Sequence, residues 1–303
     1  MAHTVNITLT GASGFVGQHL LARLLAEGHA VQLLGRALDK GTPPSVRFSV
    51  WDATESDPPE ESLRGADAVV NLAGEPVGQR WTPAVKKRIL ASRVEGTTRL
   101  VRTLARLEKR PAVLVSASAV GFYGDRGEEE LTERSKPGEG FLSQVCGGWE
   151  STADQAEQLG VRVVKLRLGV VLGNGGGALA RMLPSFRWGL GGTLGTGRQW
   201  MSWIHIDDLL DLILYAVAQP GLRGVVNATA PNPVTNAEFT RVLASVLHRP
   251  ALFRVPDGLL RLLYGEGAEV MFGSQRVVPQ TAEAAGFKFR FPTLEPALRD
   301  LLG

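Results

Sequence analysis

The sequence predicts an α/β fold, with a doubly wound parallel sheet followed by a smaller C-terminal α/β lobe. The first 170 residues alternate short apolar runs with longer amphipathic stretches, which is the pattern of βαβ units. A glycine-rich turn joins the first apolar run to a helix, and the later chain carries glycine-dense stretches at 173–177 and 189–197. A length of 303 residues suits one large α/β unit with an appended lobe.

Each predicted strand is a short run of β-branched residues and leucine, and each predicted helix has apolar residues at helical spacing. The long helix at Pro83 has Thr82 in the N-cap position and proline at its first position. The predicted strands are Val5–Thr10, Ala30–Leu34, Val46–Val50, Ala68–Leu72, Ala112–Ser116, Val161–Leu166, Trp203–Ile206 and Gly224–Ala228. The predicted helices are Gly14–Glu27, Pro83–Glu108, Phe141–Leu159, Asp208–Ala218, Asn236–Leu247 and Asp257–Tyr264, with a terminal segment at Phe287–Leu302. We assign residues 1–172 to the core, with 203–229 returning to it, and 173–202 with 230–303 to the lobe.

Charge and cysteine content exclude several classes of protein. Lysine and arginine number 33 against 30 acidic residues, and acids are interleaved with the basic residues, so we expect no nucleic-acid partner. The basic run Lys86–Arg93 leaves nucleic-acid binding open as a distant third possibility. We see no secretory signal and no apolar run of ~20 residues, so we expect a cytoplasmic protein without a membrane partner, monomeric or homodimeric. The single cysteine, Cys146, excludes an internal disulfide and a cysteine-rich metal site.

The segment Thr10–Gly17 follows an apolar strand and opens a helix, where a dinucleotide pyrophosphate is bound in many α/β proteins. Glycine at position 11 permits a tight turn, Gly14 lets the backbone approach the phosphates, and Gly17 lets the helix pack on the strand. The helix N-terminus supplies amide donors and partial positive charge. The predicted cofactor-binding residues of this turn are Gly11, Ser13, Gly14, Phe15 and Val16.

The end of the second strand indicates which dinucleotide is bound. Sites selective for NAD place an acid there to hold the ribose 2′-hydroxyl, whereas this chain has Arg36, which suits a 2′-phosphate. The nearest acid, Asp39, is expected to point elsewhere. We therefore predict NADP(H). Asp52, after the third strand, either accepts from the adenine amine or caps a helix, and the sequence leaves both open.

Further cofactor contacts are predicted around the fourth strand. Its end, Leu72-Ala73-Gly74, is small and flat, so that a ribose can lie close to it. Arg88 and Arg93, on the following helix, either reach a cofactor phosphate or lie on a solvated face.

With these motifs, the chain resembles the extended, nucleotide-sugar epimerase-like branch of the short-chain dehydrogenase/reductase superfamily, and more narrowly an atypical subgroup called epimerase-family proteins. The resemblance covers almost the whole chain. It implies a Rossmann core that binds NADP(H) and a lobe that closes over a substrate cleft. Within a matching segment, Gly169 and Val170 are assigned to the cofactor. The carrying segments are Thr10–Gly17, Asn71–Glu75 with Arg80-Trp81, Ser116–Gly124, Cys146–Glu150, Arg167–Gly177, Gln199–Asp208, Pro231–Phe239 and Ser274–Pro279.

The chain departs from the superfamily at the residues that transfer a proton. The superfamily uses a Ser or Thr after the fifth strand together with a Tyr-x-x-x-Lys helix, whose tyrosine and lysine share one face. Here the tyrosine position falls on Leu142 and the lysine position on Cys146, and neither side chain can do that chemistry. Ser118 occupies the position of the catalytic Ser/Thr, or is satisfied by local backbone. We propose Tyr123 as a substitute acid/base, with a packed loop tyrosine as the alternative.

Substrate contacts are predicted on both sides of the cleft. Glu75, Arg80 and Trp81 lie just beyond the fourth strand, at the edge where ligands bind in such sheets. Gln199, Trp200 and Trp203 are candidates for the opposite wall. His205 with Asp207 offers only two metal ligands, so we expect no metal.

The resulting hypothesis is an NADP(H)-dependent oxidoreductase or epimerase acting on an unidentified carbonyl or sugar-like small molecule. A different class is an NADPH-binding sensor without turnover, which the missing tyrosine and lysine favour.

Overall fold

The computed structural model describes residues 4–39 and 41–303 and has a seven-stranded, fully parallel sheet at its centre. The strands are β1 (Asn6–Thr10), β2 (Ala30–Gly35), β3 (Arg47–Val50), β4 (Ala68–Asn71), β5 (Val113–Ala119), β6 (Glu130–Leu131), β7 (Arg162–Leu168), β8 (Val170–Leu172), β9 (Gly192–Leu194), β10 (Trp200–Met201), β11 (Trp203–His205), β12 (Gly224–Ala228), β13 (Val234–Thr235), β14 (Phe253–Val255) and β15 (Arg276–Val277). The helices are α1 (Phe15–Ala26), α2 (Pro83–Arg106), α3 (Phe141–Asp154), α4 (Gly177–Arg187), α5 (Ile206–Ala218), α6 (Asn236–Val246), α7 (Asp257–Tyr264), α8 (Glu269–Phe272), α9 (Gln280–Ala284) and α10 (Leu294–Leu302).

The order of strands in the central sheet is β12-β7-β5-β4-β1-β2-β3. The chain moves outward from β1 through β2 to β3 and then returns to place β4 on the other side of β1. In such sheets the ligand crevice lies where the order reverses, outside the carboxyl ends of the strands. Here that point lies between β1 and β4. The prediction of a doubly wound parallel sheet is confirmed.

Alternating side chains bury both faces of the sheet. Val69 of β4 and Leu114 of β5 belong to a core with Leu100 of α2, whereas Val70 and Val115 belong to the core on the other face. That second core also includes residues of α1 and α5. A strand buried on both faces reads as a continuous apolar run, which is why the sequence identified these strands.

The helices also follow the predicted pattern, with differences at their ends. The Thr82 hydroxyl accepts from the Val85 amide at 3.3 Å, so the predicted N-cap is present. The predicted helix 141–159 is α-helical only to Asp154 and continues as a 3-10 helix to Leu159. The terminal helix begins at Leu294 rather than Phe287, because Pro292 disfavours helix at the preceding residue.

The C-terminal part of the chain consists of helices and short two-stranded pairs. Strand β12 joins the central sheet beside β7, whereas β11 pairs with β8 in a separate sheet. Residues 203–206 therefore do not join the central sheet, although Trp203, Ile204 and Ile206 pack in its core. The division into core and lobe remains a prediction.

Among the residues that the structure describes, no helix is long and apolar enough to cross a membrane. The expected lack of a secretory signal involves Met1–His3, which lie outside the described residues.

Candidate functional site: a dinucleotide cavity and a buried polar row

The glycine turn lies at the point where the strand order reverses. Gly11 has a φ of +74°, and a Cβ built on it would lie 2.6 Å from the carbonyl carbon of Leu72. A Cβ on Gly17 would lie 2.2 Å from the Gly11 carbonyl oxygen. Both positions therefore exclude a side chain. The two roles predicted for these glycines, a tight turn and close packing of helix on strand, match these contacts.

Thr10 connects the ends of β1 and β4. Its hydroxyl donates to Asn71 Oδ1 at 2.7 Å and accepts from the amides of Leu72 and Ala73 at 3.2 and 3.1 Å. Asn71 Nδ2 in turn donates to the Thr97 hydroxyl of α2 at 3.1 Å. These bonds fix the two strand ends that form the floor of the crevice.

A cavity of about 740 Å³ opens over this floor and extends to the end of β2. Pockets for organic ligands commonly measure about 300–1,000 Å³. The predicted residues that line it are Gly11, Ser13, Gly14, Arg36, Asp52, Leu72, Ala73, Gly74, Glu75 and Arg88. Phe15, Val16, Arg93, Gly169 and Val170 were also predicted but are not part of this lining.

Three of those predicted residues have packing contacts elsewhere in the fold. The Phe15 ring packs on the glycine-dense stretch 173–177. A Cβ on Gly176 would lie 2.6 Å from Phe15 Cδ2. A Cβ on Gly169 would lie 2.6 Å from the Ser202 carbonyl oxygen, and the Val170 amide donates to that oxygen at 2.8 Å. Gly169 and Val170 therefore pack against the backbone of Ser202, just before β11, and their assignment to the cofactor remains a prediction.

The end of the cavity beside β2 carries charges of both signs. Arg36 is exposed and lines the cavity directly after β2. Asp39, which we expected to point elsewhere, lines the same cavity. Asp52 Oδ1 accepts from the Thr54 hydroxyl at 2.6 Å and from its amide at 2.8 Å. These bonds lower the pKa of Asp52, and Arg36 lowers it further. Asp52 therefore caps a turn while still facing the cavity.

Arg93 lies beside the cavity at its β4 end. Its Nη1 donates to the Glu75 carbonyl at 2.9 Å, and a Cβ on Gly74 would lie 2.9 Å from the guanidinium carbon. The guanidinium also lies 5.1 Å from the centre of the Trp149 ring of α3. Burial lowers the pKa of Arg93. Arg88 is more exposed and pairs with the Glu75 carboxylate at 3.3 Å.

Ser118 belongs to a buried polar row that crosses the sheet. Sheet register places Ser118 of β5 beside Arg167 of β7, and Arg167 beside Asn227 of β12. The Ser118 hydroxyl donates to Glu150 Oε1 of α3 at 2.6 Å. Arg167 donates through Nε and Nη2 to the two oxygens of the same carboxylate, both at 2.8 Å. The sequence did not predict that Glu150 and Arg167 would form this buried ion pair.

Tyr123 is part of this row rather than of a cleft. Its side chain is 0% exposed, its hydroxyl donates to Asn227 Oδ1 at 2.7 Å, and it accepts from Arg167 Nη1 at 2.9 Å. Burial raises the pKa of Tyr123. A group enclosed in this way cannot contact a substrate, so the proposal of Tyr123 as acid/base is corrected to a packed tyrosine.

Replacing Tyr123 with phenylalanine is expected to lower the free energy of unfolding by about 1–3 kcal/mol, because Arg167 and Asn227 each lose a buried partner. NADPH binding is expected to stay within twofold. Urea unfolding and calorimetry measure the two effects. Tyr215→Phe is the matched control, since the Tyr215 hydroxyl donates to the Ala285 carbonyl at a more exposed site and should contribute about 1 kcal/mol or less. Loss of NADPH turnover without loss of stability would restore the catalytic role of Tyr123.

The α3 face that would carry the tyrosine and lysine is packed. A Cβ on Gly121 would lie 3.1 Å from Leu142 Cβ. Cys146 is 3% exposed, and burial raises the pKa of its thiol to about 11. The thiol is therefore neutral at physiological pH and supplies no charge to a ligand.

Cys146 is expected to resist thiol reagents while the protein is folded. With a pKa of about 11, only about one thiol in a thousand is ionised at pH 8, and the thiolate is the reactive form. We expect Ellman's reagent to modify Cys146 at least a hundredfold faster in concentrated urea than in buffer. Equal rates in the two solvents would contradict the burial.

Two of the tryptophans predicted to contact the substrate are buried in the protein core. Trp203 is 0% exposed, with its indole N–H donating to the Asn232 carbonyl at 3.1 Å. Trp81 is 6% exposed and donates to the Val77 carbonyl at 2.9 Å. These two assignments are corrected, because both rings are packed inside the fold.

Three of the four other substrate candidates lie outside the cavity lining. Gln199 is buried and donates to the Leu194 carbonyl at 3.1 Å, so it too is structural. Trp200 is half-buried, and the guanidinium carbon of Arg276 lies 4.8 Å from the centre of its ring. Arg80 is exposed and donates to the Leu262 carbonyl of α7 at 3.1 Å. Of the six predicted substrate residues, Glu75 alone is part of the cavity lining.

His205, Asp207 and Asp300 bring three potential metal-ligand atoms within 4.8 Å of one another. His205 Nδ1 accepts from the Asp207 amide at 3.1 Å, so in the neutral ring Nε2 carries the proton. That Nε2 lies 3.3 Å from Asp300 Oδ2. The nitrogen that faces the carboxylate is therefore a donor, which is unsuited to binding a metal.

Known proteins resemble the chain over nearly its whole length. The sequence matches the NAD dependent epimerase/dehydratase family over residues 7–228, and a domain of unknown function, DUF1731, over residues 255–301. It is 44% identical to the "Epimerase family protein SDR39U1 homolog, chloroplastic" of Arabidopsis thaliana, over 98% of this chain and 87% of the relative. It is 40% identical to the "Epimerase family protein YfhF" of Bacillus subtilis, over 98% of both chains.

Solved structures agree with this result. The crystal structure of human epimerase family protein SDR39U1 (isoform 2) with NADPH has a TM-score of 0.86 and 34% identity, covering 98% of each chain. The UDP-glucose 4-epimerase of Thermus thermophilus, with a TM-score of 0.79 and 19% identity over 98% and 97% of the two chains, has the same fold. Together with the switch-point cavity and its glycine turn, the sequence match shows that this chain belongs to the NAD dependent epimerase/dehydratase family.

Proposed function

We propose that this protein binds NADP(H) in the cavity above the glycine turn. The observation that carries the proposal is that one continuous cavity joins the turn, the end of β4 and the exposed Arg36. The similar human protein was solved with NADPH, which supports the same choice of cofactor.

The residues present fit that cofactor along its length. Backbone amides of the turn would hold the diphosphate at the N-terminus of α1. Arg36 would pair with the 2′-phosphate, because a guanidinium matches phosphate geometry. Asp52 would accept from the adenine amine through the side of the carboxylate that does not cap the turn. Leu72-Ala73-Gly74 would lie against a ribose, with the Arg93 charge just beyond Gly74.

Replacing Arg36 with aspartate is expected to weaken NADPH binding by at least tenfold and to leave NADH binding within about threefold, because only NADPH carries the 2′-phosphate. Isothermal titration calorimetry measures both affinities. Arg64→Asp, an exposed change of the same charge outside the cavity, is the control. Equal losses for the two cofactors at position 36 would overturn the assignment, and Asp39 would then be the residue to test as a ribose ligand.

We propose further that the bound cofactor serves an oxidoreductase or epimerase reaction on a small carbonyl or sugar-like substrate. NADPH supplies the hydride when it is bound. Ser118, at the carboxyl end of β5, would donate to the substrate oxygen once its hydroxyl, which donates to Glu150 in this structure, is released from that carboxylate and becomes accessible. The carbonyl or sugar-like class of substrate, the cytoplasmic location and the monomeric or homodimeric state remain predictions.

The same residues favour a second candidate, an NADPH-binding sensor without turnover. Ser118 is 1% exposed, and its hydroxyl donates to Glu150. In this structure, the superfamily's usual catalytic serine position is therefore not accessible to a substrate. NADPH absorbance, followed with a library of carbonyl compounds, distinguishes the two. Consumption that disappears in Ser118→Ala supports the enzyme, whereas tight binding without consumption of NADPH by any compound supports the sensor.

A further inference from the structure

The C-terminal half of the chain presents four large apolar side chains to solvent on adjacent segments. Trp188 and Leu252 are 82% and 88% exposed, and Leu190 and Phe253 are 60% and 54% exposed. Single exposed apolar residues are normal on a protein surface, but contiguous groups mark interaction sites.

The two segments that carry these side chains lie side by side. Strand β9 pairs with β14, with Gly192 opposite Phe253. Arg249 Nε donates to the Arg187 carbonyl at 3.1 Å, and a Cβ on Gly189 would lie 3.5 Å from the ring of Pro250. Residues 187–192 and 249–254 therefore form one surface, which we call the β9–β14 face.

The β9–β14 face is also strongly basic. The sequence contains no Asp or Glu between Glu157 and Asp207, and none between Glu238 and Asp257. The exposed arginines of this face are Arg187, Arg249 and Arg254. The positive charge of this chain is therefore not evenly distributed, contrary to our expectation from its overall composition.

We propose that the β9–β14 face docks onto an anionic lipid bilayer. Protruding leucine and aromatic side chains would enter the region between the headgroups and the acyl chains, and the arginines would pair with acidic headgroups. Tryptophan suits that boundary because its ring is apolar and its N–H is polar. The protrusion of Trp188 and Leu252 favours a bilayer over nucleic acid, whose binders instead stack flat rings on bases.

This docking is independent of the proposed NADP(H) function and needs no membrane-spanning helix. Our expectation that the protein has no membrane partner was based on the absence of such a span, which does not bear on a surface contact.

Co-sedimentation with vesicles tests the proposal. We expect the full-length protein to bind vesicles of phosphatidylcholine mixed with phosphatidylserine, and to bind phosphatidylcholine vesicles at least tenfold more weakly. High salt should release it, because the arginine contacts are screened. The double variant Arg187→Gln, Arg254→Gln should bind the mixed vesicles about 25-fold more weakly, at about fivefold per charge. The double variant Trp188→Ser, Leu252→Ser should lose at least tenfold.

Matched control variants remove the same types of side chain from other parts of the surface. Arg102→Gln with Arg299→Gln removes two exposed charges, and Leu262→Ser with Leu263→Ser removes two exposed leucines of α7. Both control variants should bind as the unchanged protein does. Thermal melting should show all variants folded, since each change is on the surface.

Three results would overturn the proposal. The first is no preference for anionic vesicles. The second is equal loss in the α7 variant and the β9–β14 variants. The third is light scattering that shows a stable dimer which dissociates in the Trp188→Ser, Leu252→Ser variant, since a second copy of the chain would then cover this face.

Discussion

Replacing Gly11 with alanine is expected to abolish measurable NADPH binding and to lower the free energy of unfolding by about 2–5 kcal/mol. Two costs add. The positive φ of Gly11 disfavours any Cβ, and that Cβ would also collide with the backbone of Leu72, which cannot rotate away as a side chain can. The crevice floor must therefore widen, and the amides that would hold the diphosphate move with it.

Gly28→Ala separates these two costs. Gly28 has a similar φ of +78°, but a Cβ there meets no atom within 4 Å. We expect it to lower the free energy of unfolding by about 1–2 kcal/mol and to leave NADPH affinity unchanged. Urea unfolding and calorimetry on both variants measure the contrast. Equal NADPH affinity in the two variants would contradict the placement of the diphosphate on this turn.

Replacing Arg167 with methionine is expected to lower the free energy of unfolding by about 3–5 kcal/mol. The side chains of Arg167 and Glu150 are 4% and 7% exposed and are joined by two hydrogen bonds. Methionine fills much of the volume of arginine but leaves the Glu150 carboxylate buried without its cation. The Tyr123 hydroxyl loses a donor in the same variant.

An exposed ion pair provides the control. Arg106 pairs with Asp57 at a site where its side chain is 47% exposed, and such pairs contribute about 0–1 kcal/mol. Arg106→Met should therefore change urea unfolding little. Adding Glu150→Gln to Arg167→Met should recover part of the lost stability, because the uncompensated charge is removed. A cost at Arg167 no larger than that at Arg106 would show that the buried row is not coupled to the fold.

Much of the core could be predicted from the sequence because its signals are local. Strands buried on both faces are continuous apolar runs, and the turn at Gly11 and Gly17 is specified by backbone requirements that only glycine meets. Arg36 could be placed because it directly follows a strand whose carboxyl end faces the crevice. Both Gly11 of this turn and Arg36 line the cavity.

The buried polar row could not be predicted, because it depends on sheet register. Tyr123 and Asn227 are 104 residues apart in the chain, and Ser118 and Glu150 are 32 apart. One signal was present in the sequence. Arg167 lies between Leu166 and Leu168 in β7, and a buried arginine requires a carboxylate partner.

Aromatic residues misled the prediction of the substrate cleft for a related reason. The local sequence around Trp203 and Trp81 is compatible with either a cleft or a core. Only tertiary packing decides between the two. The short strands β6, β8–β10 and β13–β15 were missed because two or three residues carry no periodicity.

The backbone contacts of Gly11 and Gly17 also bear on how relatives of this chain should be interpreted. Their contact partners belong to the chain itself, so both glycines would be retained under selection for folding alone, even in a descendant that no longer bound a nucleotide. Arg36 is exposed and would drift freely in such a descendant. Loss of cofactor binding during evolution should therefore be sought at position 36, and retention of the glycines is not by itself proof of a bound nucleotide.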